Sequence, residues 1–491
     1  MAGPEKEIED LRATVARYFP VYEVRVRPDM LTFFVHIDQA TLDKNFDELR
    51  KNLIPRHYIP IITKDQGEFV VLLQRRPQVR TLGMRVNLML LGLTILTTVF
   101  AGMVNWAGYE DLSITDPRSV AYGALFFAMP LMLILGIHEM GHYITSRRYN
   151  VAASLPFFIP SIPPLGTFGA LISMRDPIPD RKALVDIGVS GPLYGLVVAI
   201  PVTIIGLLLM GQNPQVASSA AGGTLAQPSL LYLGLTSLIP LPGNIKFHPM
   251  AFAGWVGMFV TALNLLPAGQ LDGGHVARAV LGDRARYLSY FALATMFFLG
   301  LFYTGWFIIG LFILFLGARH PPPLNDLTKL SAGRKAIGAI ALAVFLVTFI
   351  PQPLTLVESN PSFEFVAPEP FYVNVTNQSV TTAYFTIAND GNLVANITVN
   401  VELLDIQNVD LNVTILNYSG DGGNASVNGP KFTLTLDVDR SVNVTFLVNA
   451  TRYSGRIYNV TSGKPIWTFN VKGAMVDGPT VNMPVGIRVT T

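Results

Sequence analysis

Hydrophobic and polar positions follow three rhythms along this chain, and the rhythm changes near residues 80 and 352. In the first stretch Leu11, Val15 and Phe19 fall at helical spacing, residues 22–27 and 31–37 read as strands, 40–53 as a second helix, and 59–63 and 68–74 as two more strands. That order predicts one sheet with two helices on a face. From Arg85 onward come apolar runs near the length that crosses about 30 Å of hydrocarbon, at residues 87–106, 121–146, 184–210, 252–271, 287–303, 306–316 and 337–350. The fifth and sixth are short. Beyond residue 352 strict alternation takes over, as in Ala395 to Glu402, with Gly/Asn/Asp turns at 389–392 and 419–424, and predicts an antiparallel β-sandwich.

The expected fold is therefore a multi-domain membrane protein. It has a small N-terminal α+β domain (1–80), a polytopic α-helical bundle of about seven spans with a re-entrant β-hairpin (81–351), and a C-terminal all-β sandwich of immunoglobulin-like texture (352–491). Composition agrees: 50% apolar residues, 14% charged and a mean hydropathy of +0.42 argue against an ordinary soluble enzyme. The absence of cysteine excludes a disulfide framework or a thiolate metal site. Residues 1–12 mix Glu, Lys and Asp without an apolar core, so no cleavable signal peptide is expected.

A net charge of +2 says little, but the placement of the cations is informative. Those at 75–85, 147–182, 278–286 and 319–335 fall on one side of the predicted bundle, against Arg118 and Lys246 on the other. The N-terminal domain is thus expected in the cytoplasm and the C-terminal domain outside, on a multi-pass protein of the cell membrane. Residues 352–491 also hold nine Asn-x-Ser/Thr sequons, at Asn374, Asn377, Asn396, Asn412, Asn417, Asn424, Asn443, Asn449 and Asn459. They suit an exterior, glycosylated surface. Such an exterior, with no cysteine, fits an archaeal source.

Candidate chemistry sits near the inner end of the apolar stretch 122–143, in His138-Glu139-Met140-Gly141-His142. Histidines four apart share one helix face, so both imidazoles can hold one Zn²⁺ while Glu139 faces its water. Ionisable groups within a span are costly unless they pair or line a wet cavity. Catalytic zinc takes a third protein ligand, and the best candidate is Asp272, in Asn264-Leu-Leu-Pro267-Ala-Gly269-Gln-Leu-Asp272-Gly273-Gly274-His275. Pro267 and Gly269 are expected to break the helix there, and Gly273-Gly274 to permit a turn that brings the carboxylate inward. A third motif, Gly166-Thr167-Phe168-Gly169, lies in a Gly-rich alternating segment after Pro156, Pro160, Pro163 and Pro164. It suits a hairpin whose edge pairs with an extended substrate.

The two separated motifs resemble the site-2 protease family of intramembrane zinc metalloproteases. The similarity runs from about Asn87 to Arg286 and includes Gly166 to Gly169, Arg175 to Pro179 and Asp186 to Leu193. It implies that His138, His142 and Asp272 bind zinc and that Glu139 is the catalytic base. It further implies that Asn264 holds the substrate backbone or an oxyanion, and that the substrate is the transmembrane segment of a membrane-anchored protein in the lipid bilayer, cleaved in regulated intramembrane proteolysis. No nucleic-acid partner is expected. Nothing here reads as the PDZ domain many relatives carry, and His275 stands where an Arg is often found; it is expected near the site or at the interface. A zinc transporter, an inactive scaffold of the same fold and a prenyl-protein type of zinc protease remain alternatives. Substrate identity and oligomeric state are not legible.

Overall fold

The computed structural model describes residues 4–490 except 28–29, 77–82, 173, 175, 213–222, 242–244, 358–360, 368–371, 377–379, 392–393, 404–408, 421–424, 453–466 and 477. Arg80, Arg175 and the sequons at Asn377, Asn424 and Asn459 lie outside the described residues. The chain divides into two units, residues 1–216 with 226–354, and residues 217–225 with 355–491.

The first unit opens with α1 (Pro4–Ala16), β1 (Val21–Arg27), β2 (Met30–Val35), α2 (Leu42–Leu53), β3 (Tyr58–Asp65) and β4 (Glu68–Arg75). The strands form one antiparallel sheet in the order β1-β2-β4-β3. Leu11 and Val15 of α1 and Phe46, Leu49 and Leu53 of α2 recur every three or four residues, so each helix turns one apolar face onto Phe33, Ile62 and Val71 of the sheet. Leu324, distant in sequence, completes this core. The Ile62 N–H donates to the Leu324 carbonyl at 2.8 Å, and the N–H groups of Leu324 and Asn325 donate to the carbonyls of Ile178 and Pro179 at 3.0 and 2.8 Å.

The apolar runs become α3 (Met84–Glu110), α4 (Pro117–Gly123), a π-helical turn (Ala124–Ala128), α5 (Met129–Arg148) and α6 (Arg181–Gln212). Pro130 accounts for the π turn: it lacks an N–H and its ring crowds the carbonyl four residues back, which a wider turn relieves. Among the described residues three helical runs, 84–110, 117–148 and 181–212, are long and apolar enough to cross a membrane. After a short strand β7 (Gly223–Ala226), which falls mostly in the second unit, come α7 (Leu230–Thr236), α8 (Pro249–Asn264), α9 (Asp272–Leu281), α10 (Ala285–Leu299), α11 (Gly305–Leu316) and α12 (Ala332–Thr348). α11 has 12 residues and reaches only about 18 Å. The expected span 252–271 is a 16-residue helix followed by a loop, and α7 falls where no element was expected.

A hairpin forms from β5 (Phe157–Pro160) and β6 (Thr167–Leu171); β6 falls in the Gly-rich segment expected to supply an edge, whereas β5 lies in the proline-bearing stretch before it. The hairpin is fastened to α3: Thr97 Oγ1 donates to the Gly166 carbonyl at 2.7 Å and Asn105 Nδ2 to the Pro164 carbonyl at 3.0 Å. Among the described residues this sheet has two strands, so β6 keeps one edge unpaired.

The second unit is all β. It contains β8 (Leu354–Val357), β9 (Glu364–Val366), β10 (Tyr372–Thr376), β11 (Val380–Ala388), β12 (Ala395–Leu403), β13 (Val409–Gly420), β14 (Ala425–Gly429), β15 (Lys431–Leu436), β16 (Ser441–Arg452), β17 (Trp467–Met475) and β18 (Thr480–Thr490). Two five-stranded sheets, β10-β18-β17-β12-β15 and β14-β13-β16-β11-β9, enclose one core. Alternation sends Ile397, Val399 and Val471 inward from one sheet and Phe385, Val444 and Phe446 from the other. The same alternation leaves the sequon residues Asn396, Asn412, Asn417 and Asn443 exposed.

Candidate metal centre

α5 carries His138 and His142 one turn apart on its buried face, and α9 begins at Asp272. The three meet: His142 Nε2 lies 3.2 Å from His138 Nε2 and 3.1 Å from Asp272 Oδ2, and His138 Nε2 lies 3.5 Å from the same oxygen. A tetrahedral ion with bonds of about 2.0–2.1 Å holds its ligand atoms roughly 3.3–3.4 Å apart, so these separations fit such an ion. His138, His142 and Asp272 therefore form a possible metal-binding group.

His142 is fixed in the ligand tautomer. Its Nδ1–H donates to the Ile187 carbonyl of α6 at 2.9 Å, which leaves the Nε2 lone pair for a metal. Asp272 stands at the first turn of α9, where the helix dipole favours a carboxylate. Glu139, only 5% exposed, has its carboxylate 4.0 Å from His138 Nε2, beside the trio rather than in it. Asn264, the last residue of α8, brings Nδ2 to 3.4 Å from His138 Nε2. All five polar groups expected at the centre from the two motifs are thus together.

The expected turn at Gly273-Gly274 is corrected. Both glycines lie inside the first turn of α9, and their role is closeness. A Cβ at Gly273 would overlap the Leu265 carbonyl, and one at Gly274 the Gly269 carbonyl. The chain reverses earlier, at Gly269, whose φ of +55° suits glycine.

α6 supplies what the motifs did not reveal. Gly188, Gly191 and Gly195 form one small-residue stripe, and a Cβ at Gly191 would overlap the His142 ring. One at Gly195 would crowd His138, and one at Gly188 would meet His275 Cβ at 2.8 Å. The i, i+3, i+7 spacing within Asp186 to Leu193 and beyond was the available signal. His275 is outside the trio; its Nδ1 pairs with His320 Nε2 at 2.5 Å. The substrate-edge candidates Gly166, Thr167, Phe168 and Gly169 occupy the hairpin, where Thr167 is buried and Phe168 is 77% exposed.

Peptidase family M50 matches residues 126–304 of this chain, a stretch that includes His138, Glu139, His142, Asn264 and Asp272. The chain is 35% identical over 264 residues to the probable zinc metalloprotease EGY1, chloroplastic, of Arabidopsis thaliana, covering 48% of this chain and 46% of that protein. It is 38% identical over 251 residues to the protein of the same name from Oryza sativa subsp. japonica, covering 48% and 40%. With the probable zinc metalloprotease EGY2, chloroplastic, of Arabidopsis thaliana it shares 27% over 267 residues, covering 53% and 48%. The chain thus spans less than half the length of these curated relatives. The donor set and these names agree on zinc as the cofactor.

Proposed function

We propose, from the match of peptidase family M50 to residues 126–304, that this chain is a member of that family, the site-2 protease family, and is a zinc-dependent metalloendopeptidase acting within the membrane. It hydrolyses a peptide bond within or near the transmembrane helix of a membrane-anchored protein, in regulated intramembrane proteolysis. The observation that carries this reading is the convergence of two imidazoles and one carboxylate at ligand distance, with the Glu139 carboxylate beside them and outside the trio.

His138, His142 and Asp272 would hold the ion, which when bound would supply Lewis acidity to a water and to the peptide carbonyl. Glu139 would take a proton from the attacking water as its oxygen bonds to the peptide carbon, and would return that proton to the amine as the C–N bond breaks. Asn264, whose Nδ2 lies 3.4 Å from His138 Nε2, would be placed to donate its amide to the substrate carbonyl oxygen as charge builds there. A substrate helix must unwind before its carbonyls are open to attack, and the free edge of β6 offers replacement hydrogen bonds, with Phe168 as an apolar contact.

Residues 1–80 lie in the cytoplasm in this reading and 352–491 outside, as an immunoglobulin-like, glycosylated domain of a cell-membrane protein. In support, Lys246 pairs with Asp111 at 2.5 Å and Arg118 with Asp116 at 3.1 Å, gathering the few outer cations where α3 ends and α4 begins. If short α10 and α11 enter and leave by one face, the number of crossings falls by two and the sides of the termini do not change.

The test reconstitutes the full chain in liposomes with a membrane-anchored reporter. The native chain cleaves it and a chelator stops cleavage; Glu139→Gln retains zinc and loses about 10²–10⁴-fold in rate. Cleavage undiminished in that variant would reject the assignment. Zinc movement across the liposome without proteolysis would establish a transporter instead.

A further inference from the structure

A second polar site lies beyond the metal centre, at the far end of α9. A cavity of about 140 Å³ is lined by Arg278, Asp283, Arg286, Ser289, Arg319 and His320. Three guanidinium groups thus face one carboxylate. Arg278 is 4% exposed and is held through Nη2 by Asp326 at 2.8 Å and Asp283 at 3.1 Å, while among the described residues its buried Nη1, like Oδ1 of Asp326, has no hydrogen-bond partner. Nearly every buried polar hydrogen in a folded protein is matched, so an orphaned guanidinium nitrogen in a residue that lines a cavity points to a missing acceptor.

The other two arginines keep their charge free. Arg286 Nη2 donates to the Tyr287 hydroxyl at 2.9 Å and Arg319 Nε to the Tyr290 hydroxyl at 2.6 Å. Among the described residues neither has a carboxylate within ion-pair distance. Both tyrosines are neutral partners that orient the guanidinium groups and leave further N–H donors for a ligand. Asp283 is 85% exposed and engaged with Arg278, so it opposes an incoming anion weakly.

His320 is not one of the free donors. Its pKa is pushed down to about 4 by burial, its Nδ1 lies 2.6 Å from the Pro321 carbonyl, and its Nε2 faces His275. It forms a neutral wall. Convergent, planar, multi-donor forks around a small hollow match a tetrahedral oxyanion better than a flat carboxylate or a chloride.

We propose that this cavity binds a phosphate group, through Arg286, Arg319 and Arg278. The surroundings of α10 suggest where the phosphate comes from: Tyr287 and Phe291, on the turns beside the cavity, are strongly exposed, as residues at a lipid boundary are. The headgroup of an anionic phospholipid and a free phosphate share this chemistry, and the experiment separates them. The site does not depend on the protease reading, because its test reads binding and not cleavage.

The full chain, purified without phosphate, is titrated with inorganic phosphate by calorimetry. In parallel it is placed in phosphatidylcholine nanodiscs with or without phosphatidylglycerol, and retained lipid is counted by native mass spectrometry. Preference for phosphatidylglycerol assigns the site to lipid; binding of inorganic phosphate without that preference assigns it to a soluble phosphate. In either arm Arg286→Gln/Arg319→Gln weakens binding roughly ten-fold or more. The double variant Arg12→Gln/Lys64→Gln, which removes equal charge from the N-terminal domain, does not. Arg319→Gln alone, whose side chain holds only an exposed tyrosine contact, carries the test should the double variant fail to fold. No binding above the phosphatidylcholine background, or equal losses in the control variant, overturns the proposal.

Discussion

The metal centre and the junction at Asp43 both draw residues far apart in sequence to one point, but by opposite means. At the centre the ligands are held by steric closeness: α5 meets α6 where glycines leave room for the histidine rings. At the junction Asp43 of α2 accepts from Thr328 Oγ1 at 2.9 Å and Asn325 Nδ2 at 3.4 Å and pairs with Lys182 Nζ at 2.5 Å. Nearby Arg50, nearly fully buried, donates to the Tyr149 carbonyl at 3.0 Å beyond the end of α5. The N-terminal sheet and helices are thus fastened to the residue that follows α5, to the first turn of α6 and to the loop between α11 and α12. A packed contact has one solution and tolerates no added atom; a hydrogen-bonded contact can lose one member and keep the rest.

The largest effect that separates the two regions is expected from Gly191→Val. Its side chain cannot coexist with the His142 ring, so α5 and α6 must part or His142 must turn away. Zinc retained after gel filtration, measured by elemental analysis, falls to the level of His142→Ala, although overpacking costs only about 1–3 kcal/mol of stability. Zinc content equal to the native chain would show that the stripe is ordinary helix packing. Asp272→Ala is the next step down: it also loses zinc, but leaves helix packing and the thermal midpoint near the values of the metal-free native chain, because Asp272 is at the start of its helix and among the described residues bonds only the two histidines.

This contrast also explains what could be read from the residues alone. His138 and His142 are four apart on one helix, so their meeting is local geometry, and Asp272 follows because a zinc site needs a third ligand. The N-terminal strands and helices were legible for a similar reason, since the period of the apolar positions is a local property. Gly188, Gly191 and Gly195 carry the same spacing as any close helix crossing, and nothing on α6 says which partner it faces. Gly273 and Gly274 were read as a turn because glycine permits one, whereas tertiary closeness to Leu265 and Gly269 is what requires them. Asp43, Asn325 and Thr328 have no pattern at all: single polar residues in different elements that become partners only when the fold is complete.

At the junction Asp43→Ala is expected to cost about 1–3 kcal/mol, because Thr328 and Asn325 are each 1% exposed and lose an acceptor they cannot replace with water. Hydrogen exchange should quicken in α2 and in residues 324–328, with zinc content unchanged. Zinc loss in this variant would mean that the junction and the centre are one cooperative structure and would break the comparison.

Lys182→Ala gives the smallest effect and the sharpest division between charge and hydrogen bonding. Its 2.5 Å pairing with Asp43 is the shortest contact at the junction, yet the two side chains are 30% and 39% exposed. Solvent screens such a pair, and exposed pairs are worth about 0–1 kcal/mol. The expected loss in stability is therefore well below that of Asp43→Ala, and raising the salt concentration should erase it. Equal losses for the two variants would place the strength of the junction in the ion pair. A smaller loss for Lys182→Ala leaves it with the buried hydroxyl and amide that Asp43 serves.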